Sequence, residues 1–380
     1  HKHLTFYWRL KDHVRFAEMI GIKNFSEILP RMSRDFLVKF SNEVDALNAE
    51  SLLNSFGLKA FGTGSLLISQ DGGTGTIDAA DNNTGLGVDV FEDLTSGDSN
   101  VAIGKSALKN LTTGSENVAI GIEAMFLGTA PTGNTAVGRT ALRATTGNNN
   151  TAVGNASLSA NTSGTNNVGM GAYALQSNTT ASNNTAFGYG ALLANTTATD
   201  NVAVGALALN DNTTGGQNTA VGRYALQKNT TASFNTAIGY EALDSITDGH
   251  SNTAVGAYAA NSLVTGSTYQ TRHNVAIGKE ALKNQTTQED NIAIGYKALG
   301  TGNSPSNSQI VAIGTRAAGS AAHAAYGGTY VGYEAGAYIT SGVHNVCIGR
   351  NSGDNLTTGA LNTFVGAYAG DTVTGGTGCL

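Results

Sequence analysis

The chain has 380 residues, 50 of them Gly and 3 Pro, with 13% charged residues, 40% hydrophobic ones and a formal net charge of −6. Charge this sparse beside that much apolar content argues against a disordered chain, and without a basic excess nucleic acid is not an expected partner. No apolar run approaches the roughly 18 residues a membrane-spanning helix needs. Cys347 and Cys379 are too few for a disulfide framework or a zinc site.

The amino-terminal part follows rules of its own. Residues 1–60 hold nine Lys+Arg and seven Asp+Glu, residues 61–380 twelve and twenty, and only Gly21 precedes Gly57. Phe36, Phe40, Val44 and Leu47 have the spacing of an apolar helical stripe, and Pro30 breaks the pattern before it. Residues 1–56 are therefore expected to be helical, either as a cap over the first coil or as a segment that docks to a virion or cell surface. Residues 57–82 read as a Gly-rich transition, with Leu66, Leu67 and Ile68 as a short strand. Asp71-Gly72-Gly73-Thr74-Gly75, with Asp78 and Asp81, has the composition of a calcium-binding turn but occurs once, without the repeated spacing. Neither a metal nor a cofactor is expected.

From residue 83 to 370 a five-residue word, Asn-Thr/Val-Ala-Val/Ile-Gly, recurs. Its seventeen closing glycines, from Gly87 to Gly366, are separated by sixteen intervals, twelve of them 17 residues long and the others 16, 22, 19 and 18. Asn100 and Gly104, Asn117 and Gly121, Asn218 and Gly222, and Asn274 and Gly278 are examples of its first and last residues. A short fixed period marks a solenoid, in which each unit is stable only against its neighbours. Alternation inside the word predicts a strand. The Val/Ile slot before the glycine is expected to face the core, as is the Leu of the Ala-Leu pair that follows, and the Ala slot to face a neighbouring coil or subunit. Asn stands first in fifteen of the seventeen words, Ile310 and Gly328 being the exceptions, and can form a side-chain ladder or bond local backbone at a turn. Asn-Thr-Thr and Thr-Thr-Gly then turn the chain; residues 371–380 are left as a tail.

Asn100-Val101-Ala102-Ile103-Gly104 and its copies resemble the strand word in the heads of trimeric autotransporter adhesins. The longer form Asn218-Thr219-Ala220-Val221-Gly222-Arg223-Tyr224-Ala225-Leu226 is similar to the repeats of phage tail-fibre proteins. The resemblance covers 83–370 and implies a left-handed β-roll in a homotrimer, on a virion or cell surface, that contacts a host-surface glycan or protein receptor. A filament-forming extracellular protein and a polysaccharide-cleaving tailspike are the alternatives.

An enzyme is not the expected reading. Glycoside hydrolysis needs two carboxylates about 5–9.5 Å apart, and the acids sharing a slot, Glu241 with Glu280 and Asp89 with Glu123, have a repeat between them. Glu289-Asp290 reads as a solvated turn, and the seven histidines are scattered. Tyrosines crowd the two slots after the glycine, eight of thirteen, interleaved with Arg and Lys; they either cover a subunit contact or grip surface glycans. Extra residues must leave a strict stack as loops, where binding concentrates. Tyr269, Arg272, His273, His323 and Tyr326, on the irregular carboxy-terminal third, are accordingly the expected ligand contacts.

Overall fold

The computed structural model describes residues 58–59, 66–68, 80–263, 271–284, 289–300, 308–319 and 326–378. The helices expected in 1–56 and the Asp71–Asp78 turn lie outside the described residues, which contain no helix.

Each copy of the word makes one three-residue strand. β1 (Leu58–Lys59) runs antiparallel to β2 (Leu66–Ile68); then come β3 (Thr84–Leu86), β4 (Val101–Ile103) and their successors, one per repeat, to β19 (Thr363–Val365). From β2 onward every strand pairs in parallel with the next. Val101 stands opposite Val118, Ala102 opposite Ala119 and Ile103 opposite Ile120. The irregular intervals leave this register intact: Ala254 pairs with Ala276 across 22 residues and Ala293 with Ala312 across 19. The fold is an all-β parallel solenoid.

The strands are turned the other way from the sequence expectation. The Ala slot is the inner one: Ala102, Ala119, Ala136, Ala203 and Ala276 are fully buried, together with Ala107-Leu108 and its equivalents. The Val/Ile slot faces outward, with Leu86, Ile120, Ile238, Ile277, Ile313 and Ile348 all exposed. A coil this narrow has room inside for a methyl group facing a Leu, and two facing β-branched rows would overfill it.

Turns of this tightness need unusual backbone. Three slots per coil hold left-handed residues: the one before the Asn (Glu116, φ 60°), the second after the glycine (Ser106, φ 57°) and the core Leu (Leu108, φ 49°). Outside glycine such conformations cost about 1–2 kcal/mol each. What offsets them is that each turns its N–H along the axis to an adjacent coil: Glu116 to the Asp98 carbonyl (2.9 Å), Ser106 to Val88 (2.8 Å) and Leu108 to Ala124 (3.0 Å). The glycine itself is required. At Gly104 (φ 122°) a Cβ would lie 2.8 Å from the Gly121 carbonyl carbon.

The Asn of the word forms the ladder. Asn100 donates from its backbone N and from Nδ2 to Asn83 Oδ1 (2.8 and 3.0 Å), and Nδ2 also reaches across the coil to the Gly114 carbonyl (3.0 Å). Between Asn161 and Asn229 a second ladder runs through the Asn-Thr-Thr turns: Asn178 Nδ2 donates to Asn161 Oδ1 (2.8 Å), Asn195 to Asn178 (2.9 Å), Asn212 to Asn195 (3.0 Å) and Asn229 to Asn212 (2.7 Å). The two ladders meet on one carbonyl per coil; Ala198 O accepts from both Asn184 (2.8 Å) and Asn195 (3.0 Å). Other coils place Leu94, Leu111, Ile246, Leu263, Ile339 or Leu356 in that column, also fully buried. The second ladder starts on Thr145 Oγ1, which accepts from Asn161 Nδ2 (3.2 Å), and stops against Ile246, leaving the buried Asn229 Oδ1 without a partner.

Inner residues trade volume. Tyr330 occupies an Ala slot, and Gly336 stands in the facing Leu slot, where a Cβ would meet the Tyr330 ring at 2.3 Å. Gly328 replaces the Asn of the same coil, again because the Tyr330 ring fills the space. Phe364 is matched by Gly370, and Cys347 by Gly353, in the same way.

Candidate ligand-contact surface

Two corners flank the exposed sheet face. The first precedes the Asn slot and holds three of the five expected contacts. Arg272 and His273 are exposed at adjacent positions on it, and Tyr326 is exposed three coils further along. Tyr269 and His323 lie outside the described residues. Coil-to-coil pairs hold the three in place. Arg272 Nε bridges Glu289 Oε2 (3.1 Å), His273 Nδ1 lies 3.2 Å from Asp290 Oδ1, and Tyr326 stacks edge-on against His344 at 5.6 Å. The structure thus lines them up along one edge, with Arg272 and His273 already facing carboxylates.

The second corner, formed by the two slots after the glycine, is the tyrosine corner. Tyr173 meets Tyr189 (5.8 Å between centroids), Tyr224 meets Tyr240 (6.1 Å) and Tyr240 meets Tyr258 (5.3 Å), all edge to face. Cations lie over several rings: Arg223 over Tyr224 (4.3 Å), Lys283 over Tyr258 (4.6 Å), Lys297 over Tyr296 (5.3 Å) and Arg350 over both Tyr333 (5.8 Å) and Tyr368 (5.7 Å). Carboxylates complete the row. The Arg316 guanidinium, 3.0 Å from Glu334, holds that carboxyl below its usual range, and the hydrogen bond to Glu241 is the chief reason that the Tyr240 hydroxyl is pushed up to about 12. The hydrogen bond with Tyr296 in turn raises Lys297.

The acids that sequence reasoning weighed as catalytic have partners in the stack, Glu241 accepting from Asn261 Nδ2 (3.3 Å). Glu123 binds Arg143 (3.0 Å), Glu280 lies within 3.5 Å of Lys297, Asp89 within 3.8 Å of Lys109, and Glu289 and Asp290 take Arg272 and His273. Burial, then the neighbouring charge of Asp244, raises Asp211, while Lys228 grips Asp244 at 3.1 Å. Cys347 is buried in its Ala slot, and that burial pushes its thiol up to about 12, away from nucleophilic use. Among the described residues no group of three or more His, Cys, Asp and Glu side chains is placed to hold a metal, and no helix is long and apolar enough to cross a membrane.

Two features escaped the sequence reading. The second Asn ladder was visible only as recurring turn residues, although the 17-residue recurrence of Asn161, Asn178, Asn195, Asn212 and Asn229 carried its signal. Their Asn-Thr-Ser/Thr triplets also match glycosylation acceptors, yet every one of these amides is buried and donating. The pairs of Lys283 with Tyr258 and of Arg350 with Tyr333 and Tyr368 join neighbouring coils and needed the stacking register. No protein-family model matches the chain, and a search of curated proteins likewise gives no match.

Proposed function

We propose that this chain is a non-enzymatic shaft of a surface fibre: a phage tail fibre or a cell-surface adhesin, wound as a left-handed roll, associated as a homotrimer and carrying receptor contacts on its carboxy-terminal third. Residues 1–56 would serve as its anchor to a virion or cell surface. The supporting observation is the outward sheet face. Its two outward rows, half-buried to exposed, with Thr/Val/Ile at one position and Val/Ile/Leu/Met/Phe at the other, contain no charged residue in any of the seventeen strands from β3 to β19. Contiguous apolar surface of this kind marks a contact site. At about 4.8 Å per coil and 3.3 Å per residue the face measures roughly 77 by 10 Å, long enough for two neighbours in a trimer to share along its whole length. The trimer contact therefore moves from the Ala slot to the Val/Ile slot.

Sedimentation of the full chain tests this reading. The expected species is a trimer, and Ile238→Lys with Ile277→Lys should release folded monomers by burying like charges on the face. A wild-type monomer at micromolar concentration would remove the trimer. Shortened products after incubation with capsular or lipopolysaccharide glycans would replace the shaft by a depolymerase.

A further inference from the structure

The left-handed slots of the two corners are filled differently, and local backbone energy does not explain the difference. In the slot before the Asn, eight of seventeen residues are Asn, Asp or Gly, the types that adopt this conformation at least cost. In the second slot after the glycine only Asp89, Gly190 and Asn351 are. From the coil of Gly222 onward that slot holds Tyr, Glu, Lys or Arg in every coil except that of Asn351, each at φ between 52° and 63°. None of these side chains belongs to the buried core, Arg316 and Tyr368 being exposed and the others half-buried, so core packing does not require them either. Strain retained outside the core points to a functional role.

The chemistry of the row is specific. Its two slots across nine coils, from Arg223 to Tyr368, contain six Tyr, five Arg or Lys and three Glu among eighteen residues, with no aliphatic side chain larger than Ala. The backbone beneath is rigid, since the second-slot N–H groups bond the preceding coil, as Tyr258 to Tyr240 (2.9 Å) and Tyr368 to Arg350 (2.8 Å). Rings on a rigid platform stack on flat apolar faces at small entropic cost. Planar guanidinium and carboxylate groups beside them hold paired hydroxyls or carboxylates. The units recur at about 4.8 Å, the depth of one coil, and a pyranose ring has a similar length.

We propose that this tyrosine corner binds an extended acidic polysaccharide lying along the solenoid axis, pyranose rings against the tyrosines and uronate carboxylates against the interleaved Arg and Lys. The site is separate from the carboxy-terminal loops, and it rests on the shaft reading only in needing a long rigid surface. Cations outnumber carboxylates five to three in these slots, against the net −6 of the whole chain, which favours the acidic class.

The test measures binding of the full chain to polygalacturonate, with polyglutamate as a polyanion lacking sugar rings and amylose as a neutral pyranose polymer. Polygalacturonate should bind best. The triple variant Tyr240→Ala, Tyr296→Ala, Tyr333→Ala should bind it at least tenfold more weakly, and Tyr338→Ala, an exposed tyrosine off this row, should leave binding unchanged. Arg350→Gln, between Tyr333 and Tyr368, gives an independent reading if the triple variant does not fold, and should weaken binding several-fold. Equal binding of polyglutamate would reduce the site to plain electrostatics and overturn the proposal, as would unchanged binding by the variants. Sedimentation of the triple variant separates the remaining possibility: loss of assembly would make the row a subunit contact, whereas wild-type assembly with lost polysaccharide binding supports the site even if the wild-type chain is not a trimer.

Discussion

Cutting one rung of the second Asn ladder should cost more than removing the whole ladder. In Asn195→Leu, Asn178 Oδ1 loses its 2.9 Å donor and Asn212 Nδ2 loses its 3.0 Å acceptor, both in a dry interior, while Ala198 O keeps its bond from Asn184. Two stranded groups at about 1–3 kcal/mol each, less about 1–2 kcal/mol gained by burying Leu, give a net loss of about 3 kcal/mol. Leu fits, because Leu94, Leu111 and Leu356 fill the same column elsewhere. Replacing Asn161, Asn178, Asn195, Asn212 and Asn229 together by Leu strands no amide, removes the orphaned Asn229 Oδ1, and leaves Thr145 Oγ1 its bond from the Gly147 N–H (3.2 Å). That variant should equal or exceed the wild type. Solenoids need not unfold in one step, so amide hydrogen exchange across residues 160–235 is the assay, with a urea midpoint beside it. If the five-fold variant exchanges faster than Asn195→Leu, the ladder contributes net stability rung by rung and this reasoning fails.

Three further outcomes are expected. Ile246→Thr should be more stable than Ile246→Val by about 1 kcal/mol, reversing the usual order for a buried site, because its hydroxyl can donate to Asn229 Oδ1; thermal unfolding of the pair decides it. Gly336→Leu should destabilise by about 3 kcal/mol or more by driving a side chain into the Tyr330 ring and leaving φ 59° to a non-glycine residue, and adding Tyr330→Ala and Gly328→Asn should recover most of the loss in urea titration. Thr140→Gly should stabilise by about 1 kcal/mol by relieving a β-branched residue at φ 56°, which a shift in unfolding midpoint would register.

The period, the strands, the ladder of the word and the corner tyrosines were legible from the sequence because each depends on spacing alone. The side-chain facing was not, because β-branched residues ordinarily go inward and nothing local contradicts that for Thr135-Ala136-Val137. The contrary signal lay between distant residues of one coil. Tyr330 occurs with Gly336, and Phe364 with Gly370, a pairing that makes sense only if the Ala and Leu slots share one space. Among the expected contacts, the exposure of Arg272, His273 and Tyr326 followed from loop logic. Their pairing with Glu289, Asp290 and His344 did not, since it depends on which coil stacks on which.

The ladder of the word also gives the rod an electrical direction. From Asn100 to Asn291 nearly every rung points its Nδ2 back toward the preceding coil and its Oδ1 toward the next, so the amide dipoles add, as peptide dipoles do along a helix at about 3.5 D each. Backbone bonds of a parallel sheet do not accumulate this way, because strands donate in both directions. The sum stops where Ile310 and Gly328 leave gaps and resumes from Asn345 to Asn362. Rods laid side by side in the same sense must therefore bring like ends together, and rods laid head to tail do not. A parallel bundle has to outweigh that repulsion with the apolar face, and low ionic strength should loosen it.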